Sequence, residues 1–197
     1  LHHLLAAWPH VVKAEPRARL HVFYEIFRYL EGATMSPGFY CERAQMLKLA
    51  LDKSRFDKSI IFHGAIPRKK LAPIQKNCRV MCYPYSPVNY CEGFCGSVNQ
   101  GIASGALVMT TKRDALPSLY TDTVHWLSDD PKAGGCSMMS EEYPKWLANQ
   151  VLLGLKGNIP GQDAIRARAA KAADKFTWSK AAVEMEKACR GESWFTL

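Results

Sequence analysis

At 197 residues the chain is long enough for one ample domain with a core on both faces of a sheet. Its 48% hydrophobic and 22% charged content is ordinary for a globular protein, and no apolar run approaches the roughly 20 residues of a membrane span. The net charge of +8 fits either a surface for anionic ligands or a generally basic exterior; the cations are dispersed at 68–70, 112–113 and 166–175, without the clustered basic face and interleaved aromatics of nucleic-acid binders.

Residues 2–13 (HHLLAAWPHVVK) repeat apolar positions at helical spacing, with Pro9 expected to kink or restart the helix. Leu1 already lies inside this pattern, with neither an initiator Met nor a signal peptide before it, as expected of a fragment. Residues 20–24 read as a short strand, and 25–40, rich in Gly, Pro and aromatics, as an irregular insertion at its carboxyl end. Residues 41–54 read as a helix with Ala44, Leu47 and Leu51 on one face.

Strand and helix then alternate. Residues 59–62 are a strand ending at His63–Gly64, 69–77 a helix with Pro67 near its start, and 79–83 a strand. Residues 92–104 are a helix opening on Glu92, 106–110 a strand, 115–119 a helical turn and 124–127 a strand. Continuous apolar strands separated by helices imply a parallel sheet covered on both faces and joined by right-handed crossovers. A loop at 131–140, a helix at 144–155, a breaker at 157–161 and helices at 163–176 and 179–190, the last capped by Ser179, complete the chain.

The seven cysteines are odd in number and not spaced as a secreted disulfide framework. A zinc site from Cys78, Cys82, Cys91 and Cys95 is disfavoured. Four residues of strand span up to about 13 Å, whereas all four sulfurs must sit roughly 2.3 Å from one ion. Buried, reduced thiols in a cytoplasmic protein are expected instead.

The candidate chemistry lies at the strands' carboxyl ends: Tyr24–Glu25, His63–Gly64, Tyr83–Pro84 and 110–112. Glu92, at a helix start, suits either a partner for the helix dipole or a ligand contact. The small residues Gly93 and Gly96 would let a phosphate approach the amide donors. Along one continuous helix Gln100 lies roughly 12 Å beyond Glu92, a span that suits the two ends of a sugar–diphosphate–nucleoside. Gln100 is equally compatible with a solvated position, and His63 with a ligand contact, a base or a hydrogen-bonded structural histidine. Gly101, Ala103 and Gly105 suit close helix–sheet packing. Neither a nucleophile–base pair nor a P-loop is present.

The run YPYSPVNYCEGFCGSVNQGIASGALVMTT resembles the E-x7-E region of the group 1 glycosyltransferases, retaining sugar-nucleotide enzymes of the GT-B fold. LHHLLAAWPHVVKAEPRARLHVFY is similar to that family's helix after the first strand plus its second strand. IIFHGAIPRKKLAPIQKNCRVMCYP is similar to the next strand–helix–strand, and FTWSKAAVEMEKA to the closing helix. The resemblance covers nearly the whole chain. It implies an α/β fold: a three-layer αβα, Rossmann-like, donor-binding domain over residues 1–197, with a parallel sheet and a helical tail at about 141–190. The N-terminal acceptor domain and first strand would precede residue 1.

By this resemblance Glu92 is the catalytic-motif carboxylate on the donor sugar's hydroxyls, amides around Gly93, Phe94 and Cys95 receive the diphosphate, and Gln100 stands where a second glutamate holds the ribose diol. His63 and Gly64 border the base. Gln100 forfeits the charge-assisted hydrogen bonds of a glutamate. The family's phosphate-binding Arg and Lys would also precede residue 1, and Lys112 and Arg113 are candidates to supply positive charge in their place. Neither metal nor cofactor is expected beyond the nucleoside-diphosphate sugar, which is substrate. The acceptor would be a carbohydrate, lipid or protein, and the setting cytoplasmic. A catalytically silent nucleotide-sugar-binding or interaction module is the alternative.

Overall fold

The structure, a computed structural model, describes residues 1–26, 28, 30, 31, 39–54, 57–85, 95–175 and 177–190. In chain order its elements are α1 (His2–Ala14), β1 (Leu20–Val22), α2 (Phe39–Ser54), β2 (Ile60–Phe62), α3 (Arg68–Lys76), β3 (Val80–Tyr83), α4 (Gly96–Ser104) and β4 (Leu107–Thr111). They are followed by α5 (Leu116–Tyr120), β5 (His125–Leu127), a 3-10 turn (Pro131–Ala133), α6 (Tyr143–Lys156), α7 (Gln162–Ala173) and α8 (Trp178–Cys189). Every strand pairing among the described residues is parallel, as the alternation of strands and helices requires.

The chain is a three-layer αβα, Rossmann-like domain with C-terminal helices. β4 is its spine, buried at all five residues between β3 and β5. Period-two alternation sends Leu107 and Met109 into one core and Val108 into the other. The first core is formed with α1, α2 and α6, through Leu5, Trp8, Val11, Leu47, Leu147 and Val151. The second is formed with α4, α5 and α7, through Val98, Ile102, Leu116, Tyr120 and Ala169. Helix α4 ends on Gly105, whose φ of 81° is a left-handed cap that favours glycine.

The paired strands form two groups, β1–β2 and β3–β4–β5. Leu20 lies opposite Ile60 and Val22 opposite Phe62; Val80 lies opposite Leu107 and Met109 opposite His125. One apolar core holds both groups, because α1 packs against both α2 and α6 and gathers Val22 and Ile60 with Leu107 and Met109.

Four local expectations are corrected. Helix α1 runs through Pro9 without restarting. Pro9 is exposed, while Leu4, Leu5, Ala7, Trp8 and Val11 are buried on both sides of it, and Trp8 Nε1 donates to Ser59 Oγ at 2.7 Å. Within the expected insertion, Ile26, Arg28, Leu30 and Glu31 are helical, and Ile26 is fully buried, so its apolar side chain recruits the segment to the core. The cap of α8 is Thr177 rather than Ser179: Thr177 Oγ1 accepts from Lys180 N–H at 3.3 Å, the cap-to-third-residue bond, and Ser179 lies inside the helix.

The fourth correction concerns the site. Helix α4 begins at Gly96, with Cys95 as its cap in an extended conformation (φ −82°, ψ 97°), so it does not run back continuously to Glu92. The Cys95 carbonyl accepts from Asn99 N–H at 3.0 Å and from the Tyr120 hydroxyl at 3.4 Å, which anchors the helix start there. The 12 Å span from Glu92 to Gln100 along one helix therefore does not apply.

Candidate functional site

Within each of the two strand groups the carboxyl ends lie together, because every ladder is parallel. The described residues bring His63 and Gly64 to the end of β2, Cys95 and Gln100 to the start of α4, and Lys112 and Arg113 to the end of β4. Glu92, Gly93 and Phe94 lie outside the described residues.

At the β1–β2 end, His21 Nδ1 and His63 Nε2 are 3.0 Å apart, so one ring nitrogen donates and the other accepts. Phe23 stacks on His63 with centroids 4.7 Å apart and planes within 12°. Burial first, and the neighbouring His63 second, lower the pKa of His21 below its ordinary value. Gly64 has φ 65°, and a Cβ there would stand 2.8 Å from Glu25 Oε1. That carboxylate oxygen accepts from Ala65 N–H at 2.8 Å and fixes the turn after His63. Sequence reasoning missed His21, Phe23 and the latching role of Glu25. The two-residue spacing of His21, in β1, and Phe23, just beyond it, was the available signal; the partner of Glu25 is 40 residues away in sequence.

At the start of α4 the amides of Gly96, Ser97 and Val98 precede the first intrahelical partner, and neither a capping side chain nor a first-turn acid competes for them. Gly96 and Ser97 are exposed, and a Cβ built on Gly96 would meet nothing within 4 Å among the described residues. Among the described residues nothing covers this end of the helix, whose partial positive charge suits an anion. Gln100 is half-buried one turn further in, whereas Cys95 places its side chain in the second core. Thr111 Oγ1 donates to Tyr85 C=O at 2.8 Å and ties the segment after β3 to the end of β4.

The two cations at the end of β4 differ. Lys112 is exposed. Arg113 is bound to Asp129, at the end of β5, through Nη2 and Oδ2, and that carboxylate already offsets its charge. Among the described residues no group of three or more His, Cys, Asp or Glu side chains is placed to hold a metal ion. Among the described residues Cys78, Cys82, Cys136 and Cys189 are free thiols, and burial pushes the Cys82 thiol up to about 12.

No family model matches the sequence, and no curated protein matches it. Among solved structures, sucrose-phosphate synthase from Thermosynechococcus elongatus shares the fold, with a TM-score of 0.63 over 96% of this chain at 14% identity. The chain spans 42% of the length of that structure. No helix among the described residues is long and apolar enough to cross a membrane.

Proposed function

We propose that the chain is the donor-binding half of a retaining GT-B glycosyltransferase, which moves a sugar from a nucleoside-diphosphate donor to a carbohydrate, lipid or protein acceptor in the cytoplasm. The observation that carries this reading is the amino end of α4, uncovered among the described residues, at the carboxyl edge of a parallel sheet, in a fold shared with a sucrose-phosphate synthase. Open α/β sheets bind phosphorylated ligands at this edge.

In this reading the α4 amides receive the diphosphate, Glu92 holds the donor sugar's hydroxyls, Gln100 meets the ribose diol, and His63 and Gly64 border the base. Lys112, exposed beside them, adds positive charge. The protein contributes positioning and charge stabilisation of the leaving diphosphate. The acceptor domain comes from outside these residues, so the chain alone binds donor and does not turn over. Calorimetry of the chain against uridine and guanosine diphosphates and their sugars tests the binding. Glycosyl transfer by the full-length protein, abolished in Glu92→Ala, tests the chemistry.

Gln100 favours one rival, a nucleotide-sugar-binding module without activity. Donor binding with no transfer by the full-length protein would select it.

A further inference from the structure

A hydroxyl buried in a strand has few local partners, because the ladder takes the neighbouring carbonyls and none lies a helical turn behind it. Among the described residues, the buried hydroxyls of Ser54, Ser59, Thr111 and Thr123 donate to Ala50 C=O, Asp57 Oδ1, Tyr85 C=O and Tyr120 C=O. Thr110, with 0% of its surface exposed, has no hydrogen-bond partner for Oγ1 among the described residues. Valine has the same shape and suits a buried strand better, so stability alone does not account for a threonine there.

The contact of α4 with the sheet places this hydroxyl. Gly101 meets Met81 on β3 and Val108 on β4. In a parallel βαβ unit the helix runs back against the strands, so Thr110 lies from Val108 in the direction of the start of α4. Two residues of strand, from Val108 to Thr110, rise about 6.6 Å. Four residues of helix, from Gly101 back to Ser97, cover about 6 Å. Alternation keeps Thr110 on the face of Val108, which packs in the core under α4. Thr110 thus lies beneath the first turn of α4, level with Ser97, with Tyr83 opposite it on β3. The amides of Gly96, Ser97 and Val98 open the same turn without a capping side chain. Asn99 Oδ1, also in that turn, is buried without a partner among the described residues.

We propose that Thr110 is a binding residue of the proposed donor site, its hydroxyl donating to a phosphate oxygen of the nucleoside diphosphate seated on the first amides of α4. This rests on the assignment of the diphosphate to those amides. Gly96 carries no side chain, and a Cβ there would meet nothing within 4 Å among the described residues, so the anion enters between the helix start and the end of β4. Amides and a hydroxyl are all donors, which matches an oxyanion, an acceptor through every oxygen. Bonds made away from water are stronger than the same bonds at the surface. Lys112, exposed two residues further on, contributes charge without direction. The Thr110 hydroxyl contributes direction, because its β-branched side chain has few rotamers and sits on the buried strand of the sheet.

Calorimetry of the chain with pyrophosphate, uridine diphosphate and guanosine diphosphate, beside thermal unfolding without ligand, tests this in Thr110→Val and Thr110→Ser. Valine removes a buried hydroxyl that has no protein partner, so Tm should hold or rise by roughly 2–4 °C. Affinity for whichever anions the parent binds should nonetheless fall roughly tenfold or more. Serine keeps the hydroxyl: affinity should stay within about threefold of the parent, although the lost methyl group lowers Tm. Equal affinity in Thr110→Val and the parent, or an equal loss in both variants, would overturn the role of Thr110 and leave the α4 amides as the diphosphate seat. A Thr110→Val variant that melts lower or fails to fold would show a structural partner for the hydroxyl and overturn it as well. A parent that binds none of the three anions would sink the donor reading, and Thr110 with it.

Discussion

Gly101 and Gly96 stand on the same helix and should respond to alanine with opposite signs. A Cβ at Gly101 would overlap Met81 Sδ and stand 2.8 Å from Val108 Cγ2, so α4 rests directly on β3 and β4 there. Alanine at this position gains about 0.8–1.0 kcal/mol of helix propensity. Against this, overpacking a filled core costs about 1–3 kcal/mol. Met81 is flexible and yields part of the space, but Val108 is branched and sits on the buried β4 strand. The net expectation for Gly101→Ala is a loss of about 1 kcal/mol, or a fall of roughly 2–4 °C in Tm for a domain of this size. At Gly96, where a Cβ meets nothing among the described residues, alanine should leave stability unchanged or raise it by a few tenths of a kcal/mol. If the proposed donor site is right, it should nonetheless weaken diphosphate binding, because the methyl group would stand where the anion approaches. Thermal and urea unfolding of the two variants, with calorimetry of Gly96→Ala, provide the readout. A Gly101→Ala variant more stable than the parent would refute the close packing that fixes α4.

Stability should fall as pH drops below the ordinary histidine value of 6.5, because burial lowers the pKa of His21 and of His125, the latter against the opposing hydrogen bond to Gln150. Between the folded and unfolded pKa values the unfolded chain binds more protons, so stability is complete above 6.5 and is lost towards the folded values; urea titrations at pH 5 and 7.5 should differ less in His21→Asn than in the parent. Thiol alkylation at pH 8 should modify the exposed Cys189 first and Cys82 only on unfolding, since its thiol is held near 12; mass-mapped early labelling of Cys82 would contradict its desolvation. Gln100→Glu should tighten nucleotide-sugar binding about fivefold if this residue meets a ribose diol, because hydrogen bonds to a carboxylate are roughly twice as strong; unchanged affinity in calorimetry would remove Gln100 from the site.

Much of the sheet was legible because the strands are short, continuous apolar runs bounded by turn residues. β4 reads as a buried strand in any register, since Leu107, Val108 and Met109 each enter a core on one face or the other. Local rules failed where nonlocal contacts decided the outcome. Pro9 breaks a helix by local chemistry, but the face formed by Leu5, Trp8 and Val11, with Trp8 bound to Ser59 51 residues away, carries α1 across it. Thr177 and Ser179 are equally good caps, and two residues of sequence could not choose between them. At the site, Glu92 looked like a first-turn acid, but the helix starts where the Cys95 carbonyl is held by Tyr120 from α5. The His21–His63 pair depends on the register of β1 on β2, which no motif announced.

The later start of α4 changes the reach of the proposed site. From Gly96 to Gln100 the helix rises only about 6 Å, one turn, so an anion at its first amides and a group held by Gln100 must be near neighbours. That spacing suits a diphosphate and the ribose attached to it better than the two far ends of a donor. With Arg113 bound to Asp129, the α4 amides and Lys112 are the positive charge that the described residues would offer a diphosphate in the proposed site. A helix end and one exposed lysine offset only part of a diphosphate's charge. Donor affinity in this chain should therefore be modest.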